Sequence, residues 1–207
     1  MKKIVIASNN AGKLREFTAL LASFDFEAIA QSEFDVPDAP EPHATFVENA
    51  LAKARHAARL TGLPALADDS GICVPALAGA PGVFSARYAS DGANDTRAAK
   101  NDGDNNQKLL RELSGHADKR AFYYCSLVLV QHADDPRPLI ADGDWWGEIV
   151  VAPRGQGGFG YDPHFFLPEH GCTAAELNAQ TKNSISHRGK AMVMLKIKLQ
   201  HQQGLSA

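Results

Sequence analysis

The opening segment constrains the fold of this chain more than any other part of it. Residues 4–7 form a short apolar run with β-branched side chains, and a polar turn that contains a glycine follows over residues 8–12. Apolar residues then recur at three- and four-residue intervals, which predicts an amphipathic helix. These residues are Leu14, Phe17, Leu20, Leu21 and Phe24. A buried strand, a polar turn and a helix open an α/β unit, so we expect helices packed on a sheet.

The rest of the chain alternates between strand and helix patterns in the same way. Further strands are predicted from apolar and β-branched runs over residues 27–31, 63–67, 121–131 and 149–152. Further helices are predicted from apolar periodicity between Thr45 and Gly62, within residues 91–115 and over about residues 187–203. The sequence therefore predicts the α/β class.

Local signals mark the start of the second helix. Thr45 is followed three residues later by Glu48, the spacing of a capping box, so Glu48 is assigned to the cap rather than to a metal. Gly62 is a typical helix stop. Three prolines exclude a helix or a central strand over residues 36–43, which are therefore predicted as a loop.

Length and charge limit the function classes. The chain has 207 residues, enough for one large domain or two small lobes, and its net charge is −3. This charge excludes a strongly basic protein that coats nucleic acid. Three cysteines without a C-x-x-C pair indicate reduced thiols, and no apolar run has the length of a membrane span or an export signal. We expect a cytoplasmic protein with no nucleic-acid or membrane partner.

The turn between the first strand and the first helix is the first candidate binding site. Free N–H groups and the positive end of a helix dipole suit a phosphate group there. The segment comprises Ser8, Asn9, Asn10, Ala11, Gly12 and Lys13, the last of which adds a positive charge. The turn lacks the P-loop pattern, and an ordinary capped turn is the alternative interpretation.

Two adjacent carboxylates follow an apolar strand. Asp68 and Asp69 precede Ser70 and Gly71, which could turn the chain at that point. Buried carboxylates cost stability unless cations or N–H donors satisfy them, and oxygen ligands favour Mg²⁺ over zinc. Glu41, in the proline-rich loop, could supply a further carboxylate. A solvated turn whose Asp caps a helix is the alternative.

A glycine-rich loop leads into aromatic residues over residues 155–163. Glycine allows the backbone to approach a ligand closely. Phe159 or Tyr161 could then stack on a flat base. A hairpin loop with aromatic side chains in the core is the alternative.

A group of hydrogen-bond donors precedes the last helix. It consists of Lys182 and residues 186–190, which include His187 and Arg188. Arg and His can donate to a phosphate group or to a keto oxygen. A helix start with solvated cations is the alternative.

Six motifs in order along the chain together resemble the inosine triphosphate pyrophosphatase family, which acts on non-standard purine nucleotides. The resemblance extends over about residues 3–200. The motifs are Ser8-x-Asn10-x-x-Lys13 with Glu16-Phe17, Thr45-Phe46-x-Glu48-Asn49-Ala50 with Lys53-Ala54, Ala67-Asp68-Asp69-Ser70-Gly71, Gly79-Ala80-Pro81-Gly82-x-x-Ser85-Ala86-Arg87-Tyr88, Gly158-Phe159-Gly160-Tyr161-Asp162-Pro163 and Ser186-His187-Arg188-Gly189.

The resemblance implies a fold and a reaction. The implied fold is a single two-lobed α/β domain over residues 1–207, with a mixed central sheet, helices around it and the nucleotide in a cleft between the lobes. A homodimer is also implied. The implied reaction is Mg²⁺-dependent hydrolysis of a purine nucleoside triphosphate to the monophosphate and pyrophosphate. The implied substrates are inosine, deoxyinosine and xanthosine triphosphates, whose removal cleanses the nucleotide pool.

The resemblance also suggests roles for individual residues. Glu41 and Asp69 would hold Mg²⁺, with Asp68 left open, and Asp69 would orient or deprotonate the attacking water. Substrate-binding roles follow for the remaining candidates, namely Ser8, Asn9, Asn10, Ala11, Gly12, Lys13, Ser70, Phe159, Gly160, Tyr161, Asp162, Lys182, His187 and Arg188. Among them, Phe159 would stack on the purine, while His187 and Arg188 would donate to a 6-keto oxygen that adenine lacks.

Two other functions remain open at this point. One is a nucleotide-binding sensor in which the acidic residues hold a metal without turnover. The other is a nucleotide hydrolase that cuts the terminal phosphate. The products distinguish these two functions from a pyrophosphatase. A pyrophosphatase releases pyrophosphate, a hydrolase of the terminal phosphate releases orthophosphate, and a sensor releases no product.

Overall fold

A mixed sheet is the centre of the computed structural model, which describes residues 2–90 and 101–204. Its strands are β1 (Lys2–Ile6), β2 (Phe26–Ala30), β3 (Ala65–Cys73), β4 (Arg120–Val130), β5 (Leu139–Ile149), β6 (Phe165–Leu167) and β7 (Cys172–Thr173). Their order in the sheet is β2-β1-β3-β4-β5-β6-β7. Strand β1 is parallel to β2 and β3, whereas β6 is antiparallel to β5 and β7. The predicted α/β class with a mixed sheet is confirmed.

Helices connect and flank the strands. They are α1 (Ala11–Ala22), α2 (Phe46–Thr61), α3 (Asp102–Leu113), α4 (Ala179–Ile185) and α5 (His187–Gly204). The predicted N-cap at Thr45 is confirmed, since its Oγ1 accepts from Glu48 N, and the Glu48 side chain accepts from the Thr45 hydroxyl rather than from its backbone N–H. Gly62 ends α2 in the left-handed conformation, as predicted. No helix within the described ranges is both long enough and apolar enough to span a membrane.

The chain forms two compact units. The first unit comprises Met1–Asp69, Cys125–Gly143 and Lys190–Ala207, and the second comprises Ser70–Tyr124 and Asp144–Gly189. In the first unit, apolar side chains of β1, α1 and α5 are buried together, among them Ile4, Phe17 and Leu195. A second cluster there packs the alanine-rich face of α2 on the sheet. Parallel β1 and β3 lie side by side in this core, so the segments that follow β1 and Leu66 emerge at the same edge.

The core of the second unit is rich in aromatic side chains. Tyr123, Trp145 and Phe165 are buried together, and the ring centroids of Tyr123 and Phe165 are 4.8 Å apart. Leu109 and Leu113 of α3 pack against the same cluster. The helical core predicted within residues 91–115 is therefore present at α3, while residues 91–100 lie outside the described residues.

Two sequence expectations about strands were wrong. The strand predicted to end before Asp68 continues through Gly71 to Cys73, and β3 lies between β1 and β4 in the sheet. Of the strand predicted over residues 149–152, only Ile149 lies in a strand, as the last residue of β5. Exposed and buried residues alternate along β5, but glycines stand at inward positions and hide that pattern. A Cβ at Gly147 would lie 2.5 Å from Phe166 O, so the glycine allows β6 to pair closely.

Candidate active-site residues

The first unit brings five charged side chains together, as one ion pair and one group of three. They come from the start of α1, the proline-rich loop, the second turn of α2 and the middle of β3. We call them the charged cluster, and they are Lys13, Glu41, Lys53, Asp68 and Asp69.

One ammonium group, that of Lys53, joins two of the carboxylates. Its Nζ lies 2.9 Å from Glu41 Oε1 and 2.9 Å from Asp69 Oδ1. Asn49 lies one turn earlier on the same face of α2. It donates from Nδ2 to Asp69 Oδ2 at 3.4 Å and to His43 O at 3.2 Å. Helix α2 thus fixes both the loop that carries Glu41 and the carboxylate on β3.

The electrostatics of Asp69 are set mainly by its burial. Withdrawal from water raises the pKa of Asp69 above its ordinary value, and the neighbouring Lys53 opposes that rise. Burial also lowers the pKa of Lys53, but the charges of Asp69, Glu41 and Asp68 outweigh this effect and leave it raised. A carboxyl group with a raised pKa is a suitable proton acceptor at neutral pH.

Asp68 belongs to a second pair. Its side chain is only 1% exposed, and its Oδ2 lies 2.7 Å from Lys13 Nζ. Successive side chains of a strand point to opposite faces, which explains why Asp68 and Asp69 contact different lysines. The Asp68 carboxylate therefore pairs with Lys13 in this structure.

The turn after β1 is held by its own side chains. Asn10 Oδ1 accepts from Gly12 N at 2.9 Å and from Lys13 N at 3.1 Å, so Asn10 caps α1, which begins at Ala11. Ser8 Oγ accepts from Asn10 N at 3.2 Å. The amide of Asn9 donates instead to Asp38 Oδ1 at 3.0 Å. The N–H groups of residues 12 and 13 therefore already have an acceptor.

In the second unit, a loop presents an exposed aromatic ring. We call residues 158–162 the aromatic loop. Phe159 is 62% exposed, whereas Tyr161 is 4% exposed and its hydroxyl donates to Ser85 O at 2.8 Å. Of the two aromatic residues predicted to stack on a base, only Phe159 presents its ring to solvent.

Asp162 organises the aromatic loop. Its Oδ2 accepts from Phe159 N at 2.8 Å and lies 2.5 Å from Lys182 Nζ. The same ammonium group lies 5.1 Å from the centroid of the Phe159 ring. A cation near the face of an aromatic ring is attracted to it. Lys182 therefore contacts both the Phe159 ring and Asp162, the residue that holds the Phe159 backbone.

The donors at the start of α5 are supported by the aromatic core. His187 stacks on Tyr123 with ring centroids 4.9 Å apart and an interplanar angle of 11°. Arg188 is also largely buried. A Cβ at Gly189 would lie 1.9 Å from Asn183 O, so the close approach of α4 requires glycine there.

The predicted residues therefore fall into two groups. The first unit holds Asp69, Glu41, Lys13 and the turn around Asn10. The second holds the aromatic loop with Lys182 and the pair at the start of α5, while Ser70 follows Asp69 in β3. Sequence reasoning assigned no site role to Lys53, Asn49 or Tyr123. The four-residue spacing of Asn49 and Lys53 was the available signal, since it places both on one helix face.

The carboxylates of Glu41 and Asp69 fit a hard divalent cation. Both already face a single cationic centre, the Lys53 ammonium group. Among the described residues, no group of three or more His, Cys, Asp or Glu side chains is arranged to hold a metal ion. Magnesium commonly takes one or two carboxylates and completes its coordination with water and phosphate oxygens. The donor set thus suits Mg²⁺ together with a phosphorylated ligand.

Known proteins resemble this chain over nearly its whole length. The Ham1 family matches residues 4–198. A dITP/XTP pyrophosphatase of Ralstonia nicotianae is 62% identical over 195 residues, which cover 94% of this chain and 95% of that protein. The solved structure of a HAM1 protein from Coxiella burnetii has a TM-score of 0.90 and 50% identity, covering 97% of this chain and 100% of that one. A nucleoside-triphosphatase / dITP/XTP pyrophosphatase from Mycobacterium abscessus has a TM-score of 0.75 and 39% identity, covering 93% and 98%.

Proposed function

Because this chain belongs to the Ham1 family, we propose that it hydrolyses dITP, XTP and ITP to the monophosphate and pyrophosphate. The family resemblance found in the sequence is confirmed by these relatives. The observation that carries the chemistry is the environment of Asp69, a buried carboxylate beside the ammonium group of Lys53. Such an environment suits a group that accepts a proton.

We assign the chemical step to the charged cluster. Asp69 accepts a proton from water while the water oxygen bonds to the α-phosphorus. The bridging bond between the α-phosphorus and its leaving oxygen breaks, and the electron pair leaves on pyrophosphate. Lys13 and Lys53 offset the negative charge of the phosphates. The Lys53 ammonium group lies beside Asp69, the proposed proton acceptor, and the Lys13 ammonium group lies beside Asp68, the residue before it.

We propose Mg²⁺ as the cofactor, held by Glu41 and Asp69. When bound, it would offset charge on the phosphate oxygens. The convergence of both carboxylates on one cationic centre supports this assignment. Asp68 is assigned to positioning Lys13 and not to the metal, because its Oδ2 lies 2.7 Å from that ammonium group.

We assign base recognition to residues of the second unit. The exposed Phe159 ring is suited to stack on a purine. His187 and Arg188 are donors, so they suit the 6-keto oxygen of hypoxanthine and xanthine and would face the amino group of adenine as unpaired donors. The stacking of Tyr123 on His187 supports a fixed orientation of that imidazole ring.

The remaining expectations belong to the same proposal. We propose that the chain forms a homodimer, which light scattering of the purified protein tests directly. We also place its activity in the cytoplasm, where nucleoside triphosphates are used. Nucleic acid and membranes are not proposed as partners, in keeping with the net charge of −3.

A product assay tests the proposed function. The chain is incubated with dITP, XTP, dATP and dGTP in Mg²⁺, and pyrophosphate and orthophosphate are measured separately. We expect pyrophosphate from dITP and XTP at rates far above those from dATP and dGTP. Orthophosphate as the first product would overturn the assigned bond cleavage. Binding without any product would leave a nucleotide sensor.

A further inference from the structure

The peptide groups of Gly160 are held by helix α3. Gly160 N donates to Asp102 Oδ2 at 2.7 Å, and Asn106 Nδ2 donates to Gly160 O at 2.9 Å. Both partners lie in the first two turns of α3, far along the chain from the aromatic loop. This helix therefore binds the donor and the acceptor of the residue that directly follows Phe159.

The Asn106 side chain is also hydrogen-bonded to the backbone of α3. Asn106 Nδ2 also donates to the backbone carbonyl of Asp102, at 2.8 Å. Asn106 is largely buried, so its amide contacts are shielded from water. The first turn is itself capped by Asn101, whose side chain accepts from Asp104 N. The contacts to Gly160 thus come from a fixed helix end rather than from a mobile loop.

The Phe159 backbone is consequently anchored on both sides. Phe159 N donates to Asp162 Oδ2, and the next residue is held by Asp102 and Asn106. Phe159 nevertheless remains 62% exposed. An exposed apolar ring on an anchored backbone is the arrangement expected of a preorganised stacking surface.

We propose that Asp102 and Asn106 are positioning residues that fix the Phe159 ring for stacking on the purine base. The inference rests on the proposed function, because it takes Phe159 as the base-stacking residue. Neither side chain touches the reacting atoms in this assignment. Both act through the Gly160 peptide, so their contribution is to substrate binding and not to the chemical step.

The kinetic signature follows from this assignment. Stacking on the base is equally strong in the ground state and in the transition state, so its loss raises KM and leaves kcat unchanged. For dITP we expect KM to rise about three- to tenfold in Asp102→Ala and in Asn106→Ala, as for the loss of one or two hydrogen bonds. We expect kcat to stay within about twofold of wild type.

Asp104→Ala is the matched control. Asp104 lies in the same first turn with the same charge, but its side chain contacts Asn101 and not the aromatic loop. Removal of the Asp102 or the Asp104 carboxylate changes the interaction with the helix dipole to a similar extent. A KM near the wild-type value in Asp104→Ala therefore separates loop positioning from helix stability.

A double variant tests the link to Phe159. In a Phe159→Ala background, Asn106→Ala should raise KM no further, because the ring that it positions is gone. Equal KM effects of Asn106→Ala in both backgrounds would overturn the inference. So would a wild-type KM in both Asp102→Ala and Asn106→Ala.

Hydrogen exchange provides a readout that is independent of turnover. We expect amides of residues 158–161 to exchange faster in Asp102→Ala and Asn106→Ala than in Asp104→Ala or wild type. Unchanged exchange would overturn the inference even in an active enzyme. A wild-type chain that releases no pyrophosphate would instead contradict the proposed function, and the exchange rates would still report whether α3 anchors the loop.

Discussion

The ammonium group of Lys53 lies 2.9 Å from Oδ1 of Asp69, a carboxylate that is largely withdrawn from water. Burial raises the pKa of Asp69, and Lys53 is the neighbour that most strongly opposes the rise. The lysine therefore helps keep Asp69 ionised and able to accept a proton. This relationship leads to predictions about both pH dependence and stability.

Lys53→Met should move the acidic limb of the pH–rate profile to higher pH. Without the ammonium group, burial and the charges of Glu41 and Asp68 still raise the pKa of Asp69, and nothing of comparable size lowers it. The measurement is kcat/KM for dITP as a function of pH. Lys196→Met, at an exposed position on α5, is the control. An acidic limb at the wild-type position in Lys53→Met would contradict the role of Lys53.

Asp69→Asn should lower turnover strongly and also weaken the fold. Burial raises the pKa of Asp69, so its ionised form costs stability at neutral pH. Its charge in turn raises the pKa of the buried Lys53, and this stabilising contribution, present at every pH below the unfolded pKa of lysine, is lost in Asp69→Asn. Because removal of one partner leaves a buried charge less well compensated, we expect the Tm at pH 7 to fall below that of wild type. Loss of the proton acceptor should lower kcat roughly 10²- to 10⁴-fold. Turnover within a few-fold of wild type would remove Asp69 from its assigned role.

Local sequence signals predicted local structure well. The N-cap at Thr45 and the stop at Gly62 are formed by neighbouring residues, and both are present in the structure. The alternation of strands and helices was equally accessible, because hydrophobic periodicity is a property of short segments. Strand β5 was missed because Gly147 occupies an inward position where an apolar side chain would have revealed the alternation.

The partners of the candidate residues were not accessible in this way. The contact between Lys53 and Asp69 joins residues 16 positions apart on a helix and a strand. The stacking of Tyr123 on His187 likewise depends on packing within the second unit. Motifs supplied the candidates, but only the folded chain shows that Asp68 and Asp69 contact different lysines.

Glu41→Gln should raise the Mg²⁺ concentration needed for activity. Gln keeps the size of the side chain but lacks the charge that attracts a hard cation. The measurement is the half-saturating Mg²⁺ concentration at fixed dITP, after removal of metal with a chelator. Glu27→Gln, at an exposed position in β2, controls for the change in net charge. An unchanged Mg²⁺ requirement in Glu41→Gln would argue that this carboxylate does not hold the metal.

Phe159→Ala should raise KM for dITP about tenfold, with kcat within about twofold of wild type, since stacking of one base on an aromatic ring contributes about 1–3 kcal/mol. Trp146→Ala is the matched control, because Trp146 is a second exposed aromatic residue of the same unit, at 51% exposure. Steady-state kinetics of both variants distinguish a specific stacking role from a general loss of apolar surface. Equal KM changes in the two variants would contradict that role.

Gly158→Ala should destabilise the protein more than Gly171→Ala. Both glycines have positive φ, +74° and +64°, so an alanine at either position costs about 1–2 kcal/mol of backbone strain. At Gly158 the added Cβ would also lie 2.0 Å from Asp162 Oδ2, whereas at Gly171 it meets nothing within 4 Å.

The additional loss of stability in Gly158→Ala comes from Asp162, which holds the aromatic loop. Asp162 must move away from Phe159 N and Lys182, which removes two hydrogen bonds to a buried carboxylate. We expect an additional loss of about 2 kcal/mol or more, since each charge-assisted bond contributes about 1.5–3 kcal/mol. For a chain of this length, that corresponds to a further fall in Tm of roughly 4–8 °C. Thermal unfolding of both variants measures the difference. Equal Tm values would show that an added Cβ at Gly158 does not displace the Asp162 carboxylate.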